Sequence, residues 1–172
     1  MGNPRPSRKA SVSAGLQPSS RLSQDLQESY RQYFPRVFAY VYGRIRDSKA
    51  TEDLTSEVFR QAFAKADPLS DEGAFEIRLF TVARELLASH SRDQSPRERT
   101  PEDDLLQRPD LARVLNHLRH LHLRDQDIIA LKFDAELTNP QIAQVMGLSE
   151  SKVGMMLYRT LRKLRKALEQ EI

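Results

Sequence analysis

Cysteine and tryptophan are absent from this 172-residue chain, and glycine occurs only six times. Without cysteine there is no disulfide and no thiolate metal site, which fits a reducing cytoplasm. Aromatic residues make up 7% of the chain, so the core of one domain, or of two small ones, is expected to be modest. No apolar run approaches the ~20 residues that span a bilayer, and the first residues lack the apolar centre of a signal peptide. No glycine-rich nucleotide loop, nucleophile elbow or metalloprotease motif occurs. His117, His120 and His122 lie close together, but no cysteine or grouped carboxylate completes a metal shell around them. The expectation is a soluble, cytoplasmic protein with no cofactor, no metal and no enzymatic chemistry of its own.

Charge is informative by placement. A formal net charge of +3 hides a basic beginning, an acidic middle helix and a basic end, so different partners are expected at different places. Residues 1–21 are rich in Pro, Ser and Arg/Lys and are expected to form a disordered basic tail. Arg5, Arg8, Lys9 and Arg21 in that tail are either simply solvated or touch nucleic acid.

The rest reads as all-α, with no convincing strand and no internal repeat. From Leu22 to Arg46, Tyr30, Phe34, Val37, Phe38, Val41 and Ile45 recur at spacings of three and four, and Pro35 either starts the helix or kinks it. A second helix is predicted over Ser48–Lys65, with Leu54, Val58, Phe59, Ala62 and Phe63 apolar. A third is predicted over Ala74–His90, with Phe75, Leu79, Val82, Ala83 and Leu86 on one face and Arg78, Arg84 and Arg92 giving a basic side. These helices form a first domain, 22–92. Residues 93–110 carry Pro96, Pro101 and Pro109 among charged and polar residues and read as a flexible linker. A second domain, 111–172, opens with apolar faces at Leu111, Val114, Leu115 and Leu118, then at Ile128, Ile129, Leu131 and Phe133.

Its most specific stretch runs from Thr138 to Lys166. Thr138 with Gln141 forms a capping-box pattern, Pro140 suits a first turn, and Gly147 suits a left-handed helix stop. Ser149 then caps a second helix with a predicted core stripe of Val153, Leu157, Leu161, Leu164 and Leu168. A short helix, a glycine turn and a longer helix with a basic outer surface is the pattern of a helix-turn-helix, although a surface αα-corner shares it. Five basic residues between Arg159 and Lys166, with no acid among them, favour a phosphate-binding surface. On the second helix, Asp53 and Glu57 stack i, i+4 beside Glu52 with no evident in-helix cation. Such stacking is unfavourable unless a cation answers it, although acids also favour a helix N-terminus.

The order YRQYFPRVFAYVYGRIRD, EDLTSEVFRQAFAK, AFEIRLFTVAREL, a proline-broken linker, and RDQDIIALKFDAELTNPQIAQVMGLSESKVGMMLYRTLRKLRKAL resembles an extracytoplasmic-function sigma factor of bacterial RNA polymerase, over residues 25 to 168. Two unrelated segments match in the right order and separation. The resemblance implies that Glu52, Asp53 and Glu57 meet a basic clamp coiled coil of the largest subunit of core RNA polymerase. It also implies that the second domain binds the polymerase flap and promoter DNA, and that an anti-sigma factor holds the protein inactive. Minus-ten contacts would fall to Arg78, Arg84, Glu85 and Arg92. Minus-thirty-five contacts would fall to Ser149, Ser151, Lys152, Met155, Tyr158, Arg159, Arg162 and Lys163. In the linker, Glu102, Asp103 and Asp104 either imitate RNA phosphates or keep the linker soluble.

This chain departs from the family pattern in two places. Where the family has Trp-Leu, Ala-Arg-Asn and a later Asp, this sequence has Arg78-Leu79, Ala83-Arg84-Glu85 and Ser89. The usual Val-Lys-Ser-Arg of the recognition helix is Val153-Gly154-Met155-Met156. Those departures keep two other functions open: an autonomous helix-turn-helix regulator, and a sigma-like interaction protein that binds polymerase without initiating transcription.

Overall fold

The computed structural model describes residues 18–65, 71–93 and 109–170. Every regular element among them is a helix. Residues 1–17 of the expected tail and most of the expected linker, Glu102, Asp103 and Asp104 included, lie outside the described residues.

Helix α1, Pro18–Ile45, is a single 28-residue helix. It begins inside the stretch expected to be tail, because proline is well suited to a first helical turn. It also runs through Pro35 instead of starting there. An internal proline forfeits one backbone hydrogen bond, and burial offsets that loss. Tyr33, Val37, Tyr40 and Val41 around it are all buried. Helix α2, Ser48–Ala64, is capped by Asp47, whose carboxylate accepts from the Ala50 N–H at 2.7 Å. Helix α3, Glu72–Asp93, extends two residues earlier and three later than its apolar pattern suggests. These three helices close over Val58, Phe59, Ala62, Phe75, Leu79, Phe80 and Leu87. Phe63 stacks on Phe75 at 5.2 Å, and the Tyr40 and Phe80 rings meet edge-on at 5.9 Å.

The remaining helices are α4, Pro109–Arg119; α5, Leu123–Phe133; α6, Asn139–Met146; and α7, Glu150–Glu169. They pack around Ile128, Leu131, Leu137, Ile142, Val145, Val153 and Leu157. The capping box at Thr138 and Gln141 is present, Gly147 ends α6 at φ 63°, and Ser149 caps α7. One expected detail is corrected. Thr160 is 1% exposed, whereas Leu161, assigned to the core stripe, is 41% exposed. The stripe turns because Thr160 stands three residues after Leu157 and seven after Val153, in line with both. Leu161 and Leu164 instead face an apolar groove with Val114, Leu118 and Phe133.

The two groups of helices do not stand apart. Helices α5 and α6 rest on α1 and α3, and polar side chains cross between them. Arg36 of α1 pairs with Glu76 of α3 and also donates to the Ala135 carbonyl beyond α5. Gln141 of α6 donates to Glu76. No helix among the described residues is long and apolar enough to cross a membrane.

Candidate nucleic-acid interface

Helix α7 presents its polar side as one stripe. Ser151, Lys152, Tyr158, Arg159 and Arg162 are exposed, and Met155 stands among them at 48% exposure. Their spacings of one, three and four place them along one side of the helix. Ser149 differs, because its hydroxyl accepts from the Lys152 N–H at 3.3 Å and so serves the helix cap. The N-terminus of α7 adds the positive end of a helix dipole to this surface.

The run from Arg159 to Lys166 is less bare of partners than it reads in sequence. Lys163 is within 3.2 Å of Asp125 on α5, and Arg165 donates to Glu169 at 2.7 Å. Both cations are well exposed and their pairs hold little energy, so the lysine and arginine stay available to a competing phosphate. The acids that answer them lie outside the run, one on another helix and one four residues on.

On α2, Glu52 and Asp53 are exposed. Glu57 is not unanswered, which corrects the expectation from sequence. Arg60, one turn on, donates to it from Nε at 2.7 Å, and Gln61 donates at the same distance. The Arg60 guanidinium first, and Gln61 second, hold the Glu57 carboxyl down to about 2. Glu57 therefore keeps its charge at any physiological pH.

The basic residues of α3 are dispersed. Glu85 is exposed. Arg78 is half-buried, and its Nη1 has no hydrogen-bond partner among the described residues. Arg92 lies in the last turn of α3, and its side chain is outside the described residues. Arg84 turns towards the other group of helices and donates from Nε to Asp127 Oδ2 of α5 at 2.6 Å.

Asp127 is the centre of an arrangement that sequence reasoning missed. Its Oδ1 accepts from the Tyr40 hydroxyl at 2.7 Å and from Arg44 at 2.8 Å, while Oδ2 takes Arg84. The aspartate is 8% exposed, and Tyr40 is fully buried. Burial, and next the Asp127 charge, push the Tyr40 phenol well above its ordinary range, so it stays a donor. One sequence signal pointed here. Asp127 sits directly before the apolar run Ile128 to Leu131, Glu76 sits between Phe75 and Ile77, and a buried acid needs a cation.

Known proteins share both the order of these helices and their sequence pattern. The family model for Sigma-70 region 2 matches residues 29–97, across α1, α2 and α3. That for Sigma-70, region 4 matches residues 111–164, across the four later helices. The chain is similar to the ECF RNA polymerase sigma factor BldN of Streptomyces coelicolor, 31% identical over 157 residues. The match covers 83% of this chain and 60% of that relative. The fold is shared with CnrH, solved in complex with the cytosolic domain of CnrY, at a TM-score of 0.66 and 20% identity, covering 87% of this chain and 91% of that one. It is also shared with the sigma factor RpoE, solved with the anti-sigma factor NepR from Bartonella quintana, at a TM-score of 0.63 and 17% identity, covering 85% and 98%. With both regions matched in order over most of its length, the chain belongs to the sigma-70 family.

Proposed function

We propose that this sigma factor is a promoter-specificity subunit, directing core RNA polymerase to minus-ten and minus-thirty-five elements in the cytoplasm while polymerase supplies the catalysis. The observation that carries this reading is the pairing of two chemically opposite surfaces on one chain. The acidic face of α2, with Glu52, Asp53 and Glu57, suits a basic partner protein, and the stripe on α7 suits DNA. An autonomous DNA-binding regulator has no use for the first surface, and a polymerase-holding protein has no use for the second.

In this reading the helices of 22–92 and 111–172 act as two domains joined through 93–110. Arg78, Arg84, Glu85 and Arg92 lie on the minus-ten side. Ser151, Lys152 and Met155 read bases at the minus-thirty-five element, Ser149 orders the helix end that approaches them, and Tyr158, Arg159, Arg162 and Lys163 hold the phosphate backbone. CnrH and RpoE were solved with protein partners, the latter an anti-sigma factor, and an anti-sigma factor is proposed here too.

The test is promoter-dependent transcription with purified core polymerase and the wild-type chain, beside the double variant Asp53→Lys, Glu57→Lys. Wild type should support specific initiation, and the variant should lose core association with its helicity intact. Tight, specific duplex binding by the free protein and equal core affinity of the two forms would instead establish the autonomous regulator.

A further inference from the structure

The polar stripe of α7 carries one side chain of a different chemistry. Met155 is a thioether set among cations, with Lys152 three residues before it and Arg159 four after, all three exposed on the same face of the helix. It is 48% exposed, whereas Met146 is 9% exposed and Met156 packs, partly buried, against the core. Beside it, no atom lies within 4 Å of where a side chain on Gly154 would stand, so that flank of the helix is open as well. The chain has no cysteine, and so no thiol competes with this sulfur for an oxidant. A polarizable sulfur that solvent reaches from several sides is the group a mild oxidant attacks first.

We propose that Met155 is an oxidation site, converted to its sulfoxide by peroxide, and that this change withdraws an apolar base contact from the face that reads the minus-thirty-five element. The sulfur lone pair attacks one peroxide oxygen, and the O–O bond breaks as the S–O bond forms. The leaving hydroxide takes the proton from the transferred oxygen and departs as water; sulfur gives up two electrons and the peroxide takes them. A thioether packs well against a thymine methyl group. Its sulfoxide is polar, and pressing the new oxygen against that methyl strips it of water without supplying a donor, which is unfavourable. The nearest donors are Lys152 and Arg159, one turn away on either side, so the sulfoxide oxygen also competes with DNA for those two cations. One added oxygen thus acts on a base reader and on both of its charged neighbours. This inference rests on the reading that α7 faces promoter bases, and it adds an oxidant to what that face responds to.

The experiment treats the full chain with hydrogen peroxide, removes the peroxide, and then adds core polymerase and a randomised minus-thirty-five library. Peptide mass spectrometry over a time course should find the added oxygen on Met155 first, on Met156 later and on Met146 last. Fragmentation of the tryptic peptide from Val153 to Arg159 tells the two adjacent methionines apart. Transcription from the preferred promoter should fall about fivefold, the lower end of what one base contact is worth, and the ranking of sequences should change. Methionine sulfoxide reductases should restore both. Met155→Leu sets its own baseline, and peroxide should leave that baseline where it is. Oxidation of Met146 or Met156 ahead of Met155 overturns the site. An equal loss on peroxide treatment of Met155→Leu assigns the damage elsewhere and also overturns it. A fully oxidised Met155 with unchanged output and ranking, in a chain whose ranking Lys152→Ala does change, refutes the proposal and leaves base reading by α7 standing. If neither peroxide nor Lys152→Ala moves the ranking, base reading by α7 falls first and the proposal with it.

Discussion

At the scale of single residues, the basic stripe of α7 divides by the chemistry each side chain can perform. Lys152 stands in the first turn, where a side chain entering the major groove meets base edges, and Gly154 and Met155 leave few other polar readers beside it. Lys152→Ala should therefore change the preferred minus-thirty-five sequence, with about 1 to 3 kcal/mol of discrimination lost at one position. Arg159→Ala and Arg162→Ala should instead weaken every promoter alike and flatten the salt dependence. Transcription from a randomised minus-thirty-five library at two salt concentrations separates these outcomes, and an unchanged ranking in Lys152→Ala would remove base reading from this face. On α2, Arg60 and Gln61 lower the Glu57 carboxyl to about 2. A depressed carboxyl contributes its stability above the ordinary glutamate range and loses it as pH falls through the folded value. Glu57 should accordingly titrate near 2 by carboxyl NMR, and Arg60→Ala should move that midpoint back towards the ordinary range. Equal midpoints in the two proteins would show that the pair does not persist in solution.

At the scale of elements, the helix-turn-helix is held by local signals that each have a measurable worth. The Thr138 hydroxyl and the Gln141 side chain satisfy each other's backbone donors at the start of α6. Thr138→Ala should cost about 1 kcal/mol in chemical denaturation. Gly147 sits at φ 63°, where a side chain is strained, so Gly147→Ala should also destabilise. Gly154 is the contrast. It lies mid-helix, and a methyl group added there would meet nothing within 4 Å, so Gly154→Ala should stabilise by up to about 1 kcal/mol. A destabilised Gly154→Ala variant would mean that this helix is not formed as described. Caps and stops of this kind were legible in the sequence because they are made by residues three or four apart. The Glu57 to Arg60 pair is equally local but less legible, since the acids stack at i, i+4 while the cation lies at i+3.

At the scale of the whole molecule, the decisive contacts are between residues far apart in the chain. Arg36 joins Glu76 and the Ala135 carbonyl, and it also lies over the Phe80 ring at 5.6 Å. Arg36→Ala should destabilise the molecule by about 3 to 5 kcal/mol, because it takes the cation from a buried glutamate that then keeps only the neutral Gln141 donor. Chemical denaturation of the wild-type and variant chains measures the difference. Salt alone should do little to this interface, since partly buried pairs are screened far less than exposed ones. Legible in the linear pattern were the helices, the caps at Thr138 and Ser149, the helix-turn-helix, the family and the two oppositely charged surfaces. Those depend on periodicity and on neighbours within a turn, which a linear pattern carries in full. Packing between distant segments, by contrast, sets Thr160 and not Leu161 in the core, carries α1 through Pro35, and turns Arg84 to Asp127. These outcomes rest on which faces meet across tens of residues, where burial sets the energy and one carboxylate placed by a different helix draws Arg44 and Arg84 together.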